Sequence, residues 1–261
     1  MENKSNKAIC ITFGEQSENH VGMVKYGDGL SDKGFSSDEL NVMKNKFEER
    51  GCECELIDLN KLLENGKEDA KVLVIRNCID TLFGNGSAKN LMENLCNLEW
   101  DSKYWDRRRK KVLNKHARYN LCFNMESKEQ DYENGVGRVV SYDDVKLLGK
   151  IKQEMEKICG EKKFECEGNY YYNAKKCGIG FHGDAERKKV VGVSLCSEDI
   201  TREINWIWYN SSKRISERQI VELKNGDCYV MSEKSSGFDW RRRSINTLRH
   251  AAGIKGNKYL K

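Results

Sequence analysis

The sequence predicts an α+β protein with a double-stranded β-helix (jelly-roll) core, flanking helices and an α/β N-terminal extension. Downstream of residue 164 the chain breaks into short apolar segments punctuated by Gly and Asn, the spacing of a sandwich or jelly roll. Upstream, apolar runs of strand length alternate with segments of helical period. The chain has 261 residues, enough to bury a sizeable core without covalent staples.

The elements follow in order. Residues 8–13 (AICITF) are a first strand, and a Gly- and Ser-rich loop runs over residues 14–37. Ser37-Asp38-Glu39 opens a helix, with Leu40, Met43 and Phe47 at helical spacing up to Gly51. Residues 52–59 read as a strand, 62–66 as a helical turn, 71–76 (KVLVIR) as a buried strand and 91–100 as a helix. The second half has its clearest helix over residues 143–158, with Val145, Leu148, Ile151, Met155 and Ile158 on one face. Strands are expected over residues 167–172, 189–195, 204–209, 219–223, 228–231 and 245–251. Residues 1–115 are therefore read as the extension, a lid or substrate-recognition region, and 116–261 as the jelly-roll domain.

Charged residues make up 33% of the chain, and no run of about 18 apolar residues is present to span a membrane. The first seven residues lead only into the strand at residue 8, so no signal peptide is expected and the protein is placed in the cytoplasm or nucleus. The 11 cysteines form no CxxC pair and no disulfide framework. They are expected as reduced, mostly buried thiols, with Cys52 and Cys54 alternating on a strand. The net charge of +5 favours an anionic partner without identifying one.

His182-Gly183-Asp184 carries the chemistry. Residues i and i+2 of an extended segment project to one face, so an imidazole nitrogen and a carboxylate oxygen can reach the same ion. A second histidine from a distant strand would complete a 2-His-1-carboxylate facial triad, which leaves coordination positions open. Only His20, His116, His182 and His250 are available. His20 lies in the Gly-rich loop and His116 in a basic segment. His250 follows the last strand signals, where a jelly roll returns beside its HxD strand, and is the expected third ligand. By itself HxD is a common surface turn; its neighbours give it weight.

Those neighbours carry a resemblance. Residues 170–195 read YYYNAKKCGIGFHGDAERKKVVGVSL: an aromatic strand, Gly178-Ile179-Gly180, then His182/Asp184/Glu186 and an apolar strand. Residues 223–231 (LKNGDCYVM), Trp240 and His250 follow in order. This resembles the AlkB-like branch of the 2-oxoglutarate- and iron(II)-dependent dioxygenases. The resemblance implies iron(II) on His182, Asp184 and His250, 2-oxoglutarate as cosubstrate, O2 as oxidant, and hydroxylation of a C–H bond. AlkB-like proteins carry Asn-x-Tyr against 2-oxoglutarate ahead of HxD. Counting back from His182 places those positions at Tyr170 and Tyr172, with Asn169 one residue away. A cation for the distal carboxylate is expected after His250, at Lys258 first or Lys261. An alternative alignment makes Arg243 and Arg249 the cosubstrate arginines but leaves no distal histidine upstream of them, since none lies between His182 and His250. Glu186 or Arg187 would orient the ligands, or sit on an exposed turn.

Arg107, Arg108, Arg109 and Lys110, with Lys111, Lys115 and Arg118, form a basic run beside Tyr104 and Trp105; Arg241, Arg242 and Arg243 follow Trp240. Cations beside aromatics suit phosphate contacts and base stacking, although such runs also occur as solvated surface. The resemblance points to nucleic-acid bases as substrates, demethylated or hydroxylated. Two other readings stay open: a hydroxylase of a protein side chain or small molecule, and a non-catalytic jelly-roll binding module.

Overall fold

The computed structural model describes residues 6–261. Residues 1–5, on which the expectation about a signal peptide falls, lie outside the described residues. β1 (Ala8–Gly14) precedes a small hairpin of β2 (Ser17–Glu18) and β3 (Lys25–Tyr26), then helix α1 (Ser37–Glu48). β4 (Glu53–Asp58) and β5 (Lys71–Arg76) are followed by α2 (Cys78–Phe83) and α3 (Ser87–Cys96). A second hairpin, β6 (Lys103–Asp106) and β7 (Lys111–Asn114), leads to β8 (Tyr119–Asn124), β9 (Val139–Ser141) and helix α4 (Lys146–Cys159). Then come β10 (Glu165–Tyr171), β11 (Gly178–His182), β12 (Val190–Cys196), β13 (Arg202–Asn210), β14 (Lys213–Arg214), β15 (Gln219–Leu223) and β16 (Cys228–Met231). The short α5 (Glu233–Ser236), β17 (Asn246–Ile254) and a 3-10 turn (Lys258–Leu260) complete the order.

The protein is a mixed α+β fold, mostly strands, in three layers. An eight-stranded sheet runs β4-β5-β16-β12-β1-β10-β8-β9. Helices α1, α3 and α4 cover one face of it, where Ile9, Ile11 and Phe13 of β1 meet Leu40, Phe47, Leu91 and Ile151. The other face packs on a smaller sheet, β11-β17-β13-β14, with β15 also on β13. There Ala8, Cys10, Val74 and Tyr229 meet Trp206, Trp208 and Leu248. β1 is thus buried on both sides, and its nearly continuous apolar sequence, broken only by Thr12 before the closing Gly14, reflects that. Helix α1 starts where the sequence indicates, through a reciprocal capping box between Ser36 and Glu39.

Several local expectations are refined. The basic run at residues 103–114 is a β-hairpin, and β8 and β11 are strands that apolar patterning does not reveal. The helix expected at 91–100 occupies Ser87–Cys96, because Gly86 supplies a left-handed start and Trp100 leaves the helix to cap Leu95 O with its indole N–H at 2.8 Å. β1 lies between β12 and β10, so strands from both sides of residue 115 share one sheet. All 11 cysteines are free thiols, and only Cys54 and Cys96 are not fully buried. Among the described residues no helix is long and apolar enough to cross a membrane.

Candidate metal centre

β11 and β17 are antiparallel neighbours, and their register sets His182 directly opposite His250. An irregularity between Ile179 and His182 lets both residues turn to the inner side of the small sheet. β11 ends at His182, and the chain bends through Gly183 so that Asp184 comes back against both rings. The bend is held by Asp184 N–H donating to Ser236 O at 3.0 Å. Gly183 lies flat under Gly237 and Trp240, where no side chain fits.

The result is a compact donor set. Asp184 Oδ1 is 3.6 Å from His182 Nε2 and 3.7 Å from His250 Nε2, and the ring centroids are 4.5 Å apart. Two ligand atoms bound at about 2.1 Å to a single ion can be no more than about 4.2 Å apart, so each of these two separations fits one ion. His182 Nδ1 is 2.8 Å from Gly180 O; donating there leaves its Nε2 lone pair facing Asp184. Burial first, and His182 second, hold His250 well below the ordinary imidazole range, so it is neutral and able to ligate. Burial raises the Asp184 carboxyl, and Arg187 opposes that rise. A carboxylate in this setting gains from a cation at the triad.

The three groups open on a cavity of about 60 Å3 between the two sheets, room for roughly four or five waters. Its wall on the large sheet is polar. Asn169 Oδ1 accepts from Arg118 Nε and, at 2.9 Å, from Asn120 Nδ2, while its own amide donates to Glu167 Oε1 at 3.1 Å. Glu167 pairs with the buried Arg187 at 2.7 Å. Toward the other end lies Arg202 at the start of β13. It is 0% exposed, its guanidinium lies 5.7 Å from the Tyr229 ring centroid, and none of its three guanidinium nitrogens has a hydrogen-bond partner.

The structure brings His182, Asp184 and His250 together and distributes the residues expected at the cosubstrate over several surroundings. Asn169 and Tyr171 line the cavity, each one residue before the positions that counting back from His182 gives. Tyr170 points to the helical side and packs on Trp100 at 5.2 Å, because alternate residues of a strand face opposite ways. Tyr172 lies beyond β10, stacked on Tyr119 at 4.2 Å with its hydroxyl donating to His116 O. Arg249 precedes His250 on β17 and so faces outward, 4.2 Å from the Tyr209 ring and 5.3 Å from that of Trp240. Lys258 is exposed on the 3-10 turn and rests over Tyr259 at 5.2 Å. Neither cation lines the cavity. Of the two residues expected to orient the ligands, Arg187 is 2% exposed and acts on Asp184 through its charge.

Arg202 was missed, although the sequence marks it. REINWIWYN puts Arg202 in phase with Ile204, Trp206 and Trp208, the buried face of the strand. An arginine on the apolar side of an alternation is the signal. The basic run divides. Arg107, Arg108, Arg109 and Lys110 are exposed at the β6–β7 tip, and Arg241, Arg242 and Arg243 are exposed beyond Trp240. Lys115 is instead buried, its ammonium donating to Asn19 O and Asn120 Oδ1, and Arg118 lines the cavity.

No family model matches the chain. It is 44% identical over 259 residues, 98% of each chain, to an uncharacterized protein, R156, of Acanthamoeba polyphaga mimivirus. At that identity and over nearly the whole of both chains, the protein belongs to one family with this mimivirus protein.

Proposed function

We propose that the protein is an iron(II)- and 2-oxoglutarate-dependent dioxygenase that hydroxylates a C–H bond. The observation that carries this reading is the convergence of two imidazoles and one carboxylate from β11, its following turn and β17 on a single point. That donor set suits a non-haem ferrous ion with open positions. A small cavity beside it and an unpaired cation in the same cavity support a small anionic cosubstrate. The architecture is read as a jelly roll in which β10-β1-β12-β16 face β11-β17-β13-β15. β1, from the opposite end of the chain, then fills the place between β10 and β12.

When bound, iron(II) and the 2-oxo acid together activate dioxygen for C–H hydroxylation, the acid losing carbon dioxide. The chain's own residues prepare the site. Gly180 O fixes the His182 ring, burial keeps His250 neutral, and the Arg187–Glu167 pair ties the segment after Asp184 to β10. The two sheets exclude bulk water. Succinate formation from 2-oxoglutarate with iron(II) under air tests the reading. Wild type is expected to form succinate, and His182→Ala and His250→Ala to form none. Absence of both turnover and bound iron in wild type would leave the non-catalytic binding module.

On the substrate side, the reading extends to a nucleic-acid base. It is supported by Arg118 in the cavity, the adjacent Tyr119–Tyr172 stack and the exposed β6–β7 cations. Binding of a single-stranded oligonucleotide is then expected to weaken steeply with salt and with Arg107–Arg109→Ala. Salt-independent substrate binding would favour a protein side chain or a small molecule instead.

A further inference from the structure

We infer that the outer face of the small sheet is a docking track for single-stranded nucleic acid, held through its phosphates and by stacking of its bases. The inference extends the nucleic-acid reading of the partner. It rests on neither the metal centre nor the β6–β7 cations, and it concerns the side of the sheet away from the cavity.

Strand alternation builds the track. His182, Trp206, Trp208 and His250 face the large sheet, so their neighbours Phe181, Tyr209 and Arg249 face outward. Rings and guanidinium groups interleave there. Arg218 lies over Phe181 at 5.7 Å, and Phe181 is 6.5 Å from Tyr209. Arg249 lies over Tyr209 at 4.2 Å and over Trp240 at 5.3 Å, and Arg241 lies over Trp240 at 5.2 Å. The three rings are half-buried and Arg241 is exposed. A guanidinium already stacked on a ring has lost freedom before binding and offers its own plane to a base. Two donors of the strip, Arg249 Nε and Trp240 Nε1, have no acceptor.

Charge selects the partner. β14 sets Arg214 opposite Tyr209, with Lys213 before it, and Arg241, Arg242 and Arg243 continue the run past Trp240. Glu217 pairs with Arg214 at 3.2 Å and Asp239 with Lys234 at 2.7 Å. Among the described residues no carboxylate pairs with Arg218, Arg249 or the three arginines after Trp240. The excess is local: at the far end of β13 the same face turns acidic, with Glu203 opposite Glu222. An acidic peptide would meet the cations but leave the rings unused. An anionic bilayer takes up an apolar face, whereas these rings alternate with charges. A single strand uses both, its phosphates on the cations and its bases on the rings and guanidinium planes.

The test is fluorescence anisotropy of full-length protein, without added metal, on a labelled oligothymidylate of about 16 nucleotides. Tyr209→Leu is expected to weaken binding about 5–100-fold, and Tyr209→Phe, which keeps the ring, to bind as wild type. The Tyr209→Leu loss should persist on an Arg107–Arg109→Ala background. Arg241→Gln with Arg242→Gln should reduce the slope of log affinity against log salt by about 1.4; these side chains are exposed, so their effect is readable whether or not Tyr209→Leu folds. His182→Ala should bind as wild type. Wild-type affinity in Tyr209→Leu, loss of binding in Arg107–Arg109→Ala alone, or equal displacement of the oligonucleotide by polyglutamate at matched charge would each overturn the inference. So would binding to phosphatidylserine-containing vesicles with none to the oligonucleotide. Succinate formation by a protein that binds no oligonucleotide would remove the track and leave the metal centre.

Discussion

Gly183 stands between two of the proposed ligands, and replacing it with alanine is a sharp test of how the metal loop is held. A Cβ at this position would lie 2.0 Å from Gly237 O, 2.6 Å from Trp240 Cδ1 and 2.7 Å from Gly237 C. Two of these atoms are backbone and cannot rotate away. A carbon–oxygen contact needs well over 3 Å, roughly, so the loop and the end of α5 must separate by more than about 1 Å. Overpacking of this kind costs about 1–3 kcal/mol. Weakening the Asp184 N–H to Ser236 O bond adds about 1 kcal/mol. Together, about 2–4 kcal/mol lowers the melting temperature by about 4–16 °C in a chain of this size. Displacing Asp184 from the two rings should also weaken manganese(II) binding by at least about tenfold. Gly180→Ala is the internal control, since nothing lies within 4 Å of the added carbon there. Thermal denaturation and metal titration of the two variants decide the matter. An unchanged melting temperature and metal affinity in Gly183→Ala would refute the steric account of the bend.

The buried pair of Arg187 and Glu167 has side chains only 3% and 10% exposed. Arg187→Met strands the carboxylate and is expected to cost about 3–5 kcal/mol; adding Glu167→Gln should restore part of it, and strict additivity in denaturant melts would sink the pairing argument. Glu18 gives a pH signature: burial first, then Glu186, raises its carboxyl to about 7. A folded-state value above the unfolded one stabilises the fold below about pH 4.5, and that contribution is lost as pH rises through about 7. Glu18→Gln should therefore gain melting temperature relative to wild type between pH 5 and 8, and a pH-independent difference would contradict the assignment. His250→Ala should abolish metal uptake while leaving the sheet intact by circular dichroism. Retained stoichiometric metal would remove His250 from the donor set.

How much of this was legible depended on whether a feature is local. His182 and Asp184 could be paired from spacing alone. His250 could be added because the chain has few histidines and strand signals end just before it. β5 and α4 announce themselves by composition and by a helical stripe. β11 does not, because GIGFH has no alternation and its role depends on the partner β17. Counting back from His182 lands on Tyr170 and Tyr172, whereas Asn169 and Tyr171 face the cavity, and on a strand one position is the difference between the two faces. Sequence order after His250 points to Lys258, whereas the turn that carries it packs through Tyr259 on Gly178 and away from the cavity. Arg202 lay in plain alternation with two tryptophans, and the pattern read as strand core hid the one cation within it.

The polar groups around the cavity bear on the choice between a catalyst and a structural module. In one small cavity the fold retains an arginine with no acceptor, a histidine whose Nδ1 has no partner, and a carboxylate raised by burial. Each such group costs on the order of 1–3 kcal/mol when left unsatisfied, a large part of the 5–15 kcal/mol that typically holds a domain together. Elsewhere in the same layer Trp206 and Trp208 donate their indole N–H groups to Ser235 O and Leu59 O at 3.0 and 2.9 Å, whereas the buried Asn205 amide just before them in sequence has no partner. Such exceptions occur away from the cavity as well, at Ser17, Tyr142 and Asn205 for example, but the Arg202 guanidinium, unpaired at all three nitrogens, stands on its wall. A module selected for stability alone would gain by replacing Arg202 and His250 with apolar residues of similar volume. The ligand-free stability of Arg202→Met, set beside that of wild type, measures that cost directly.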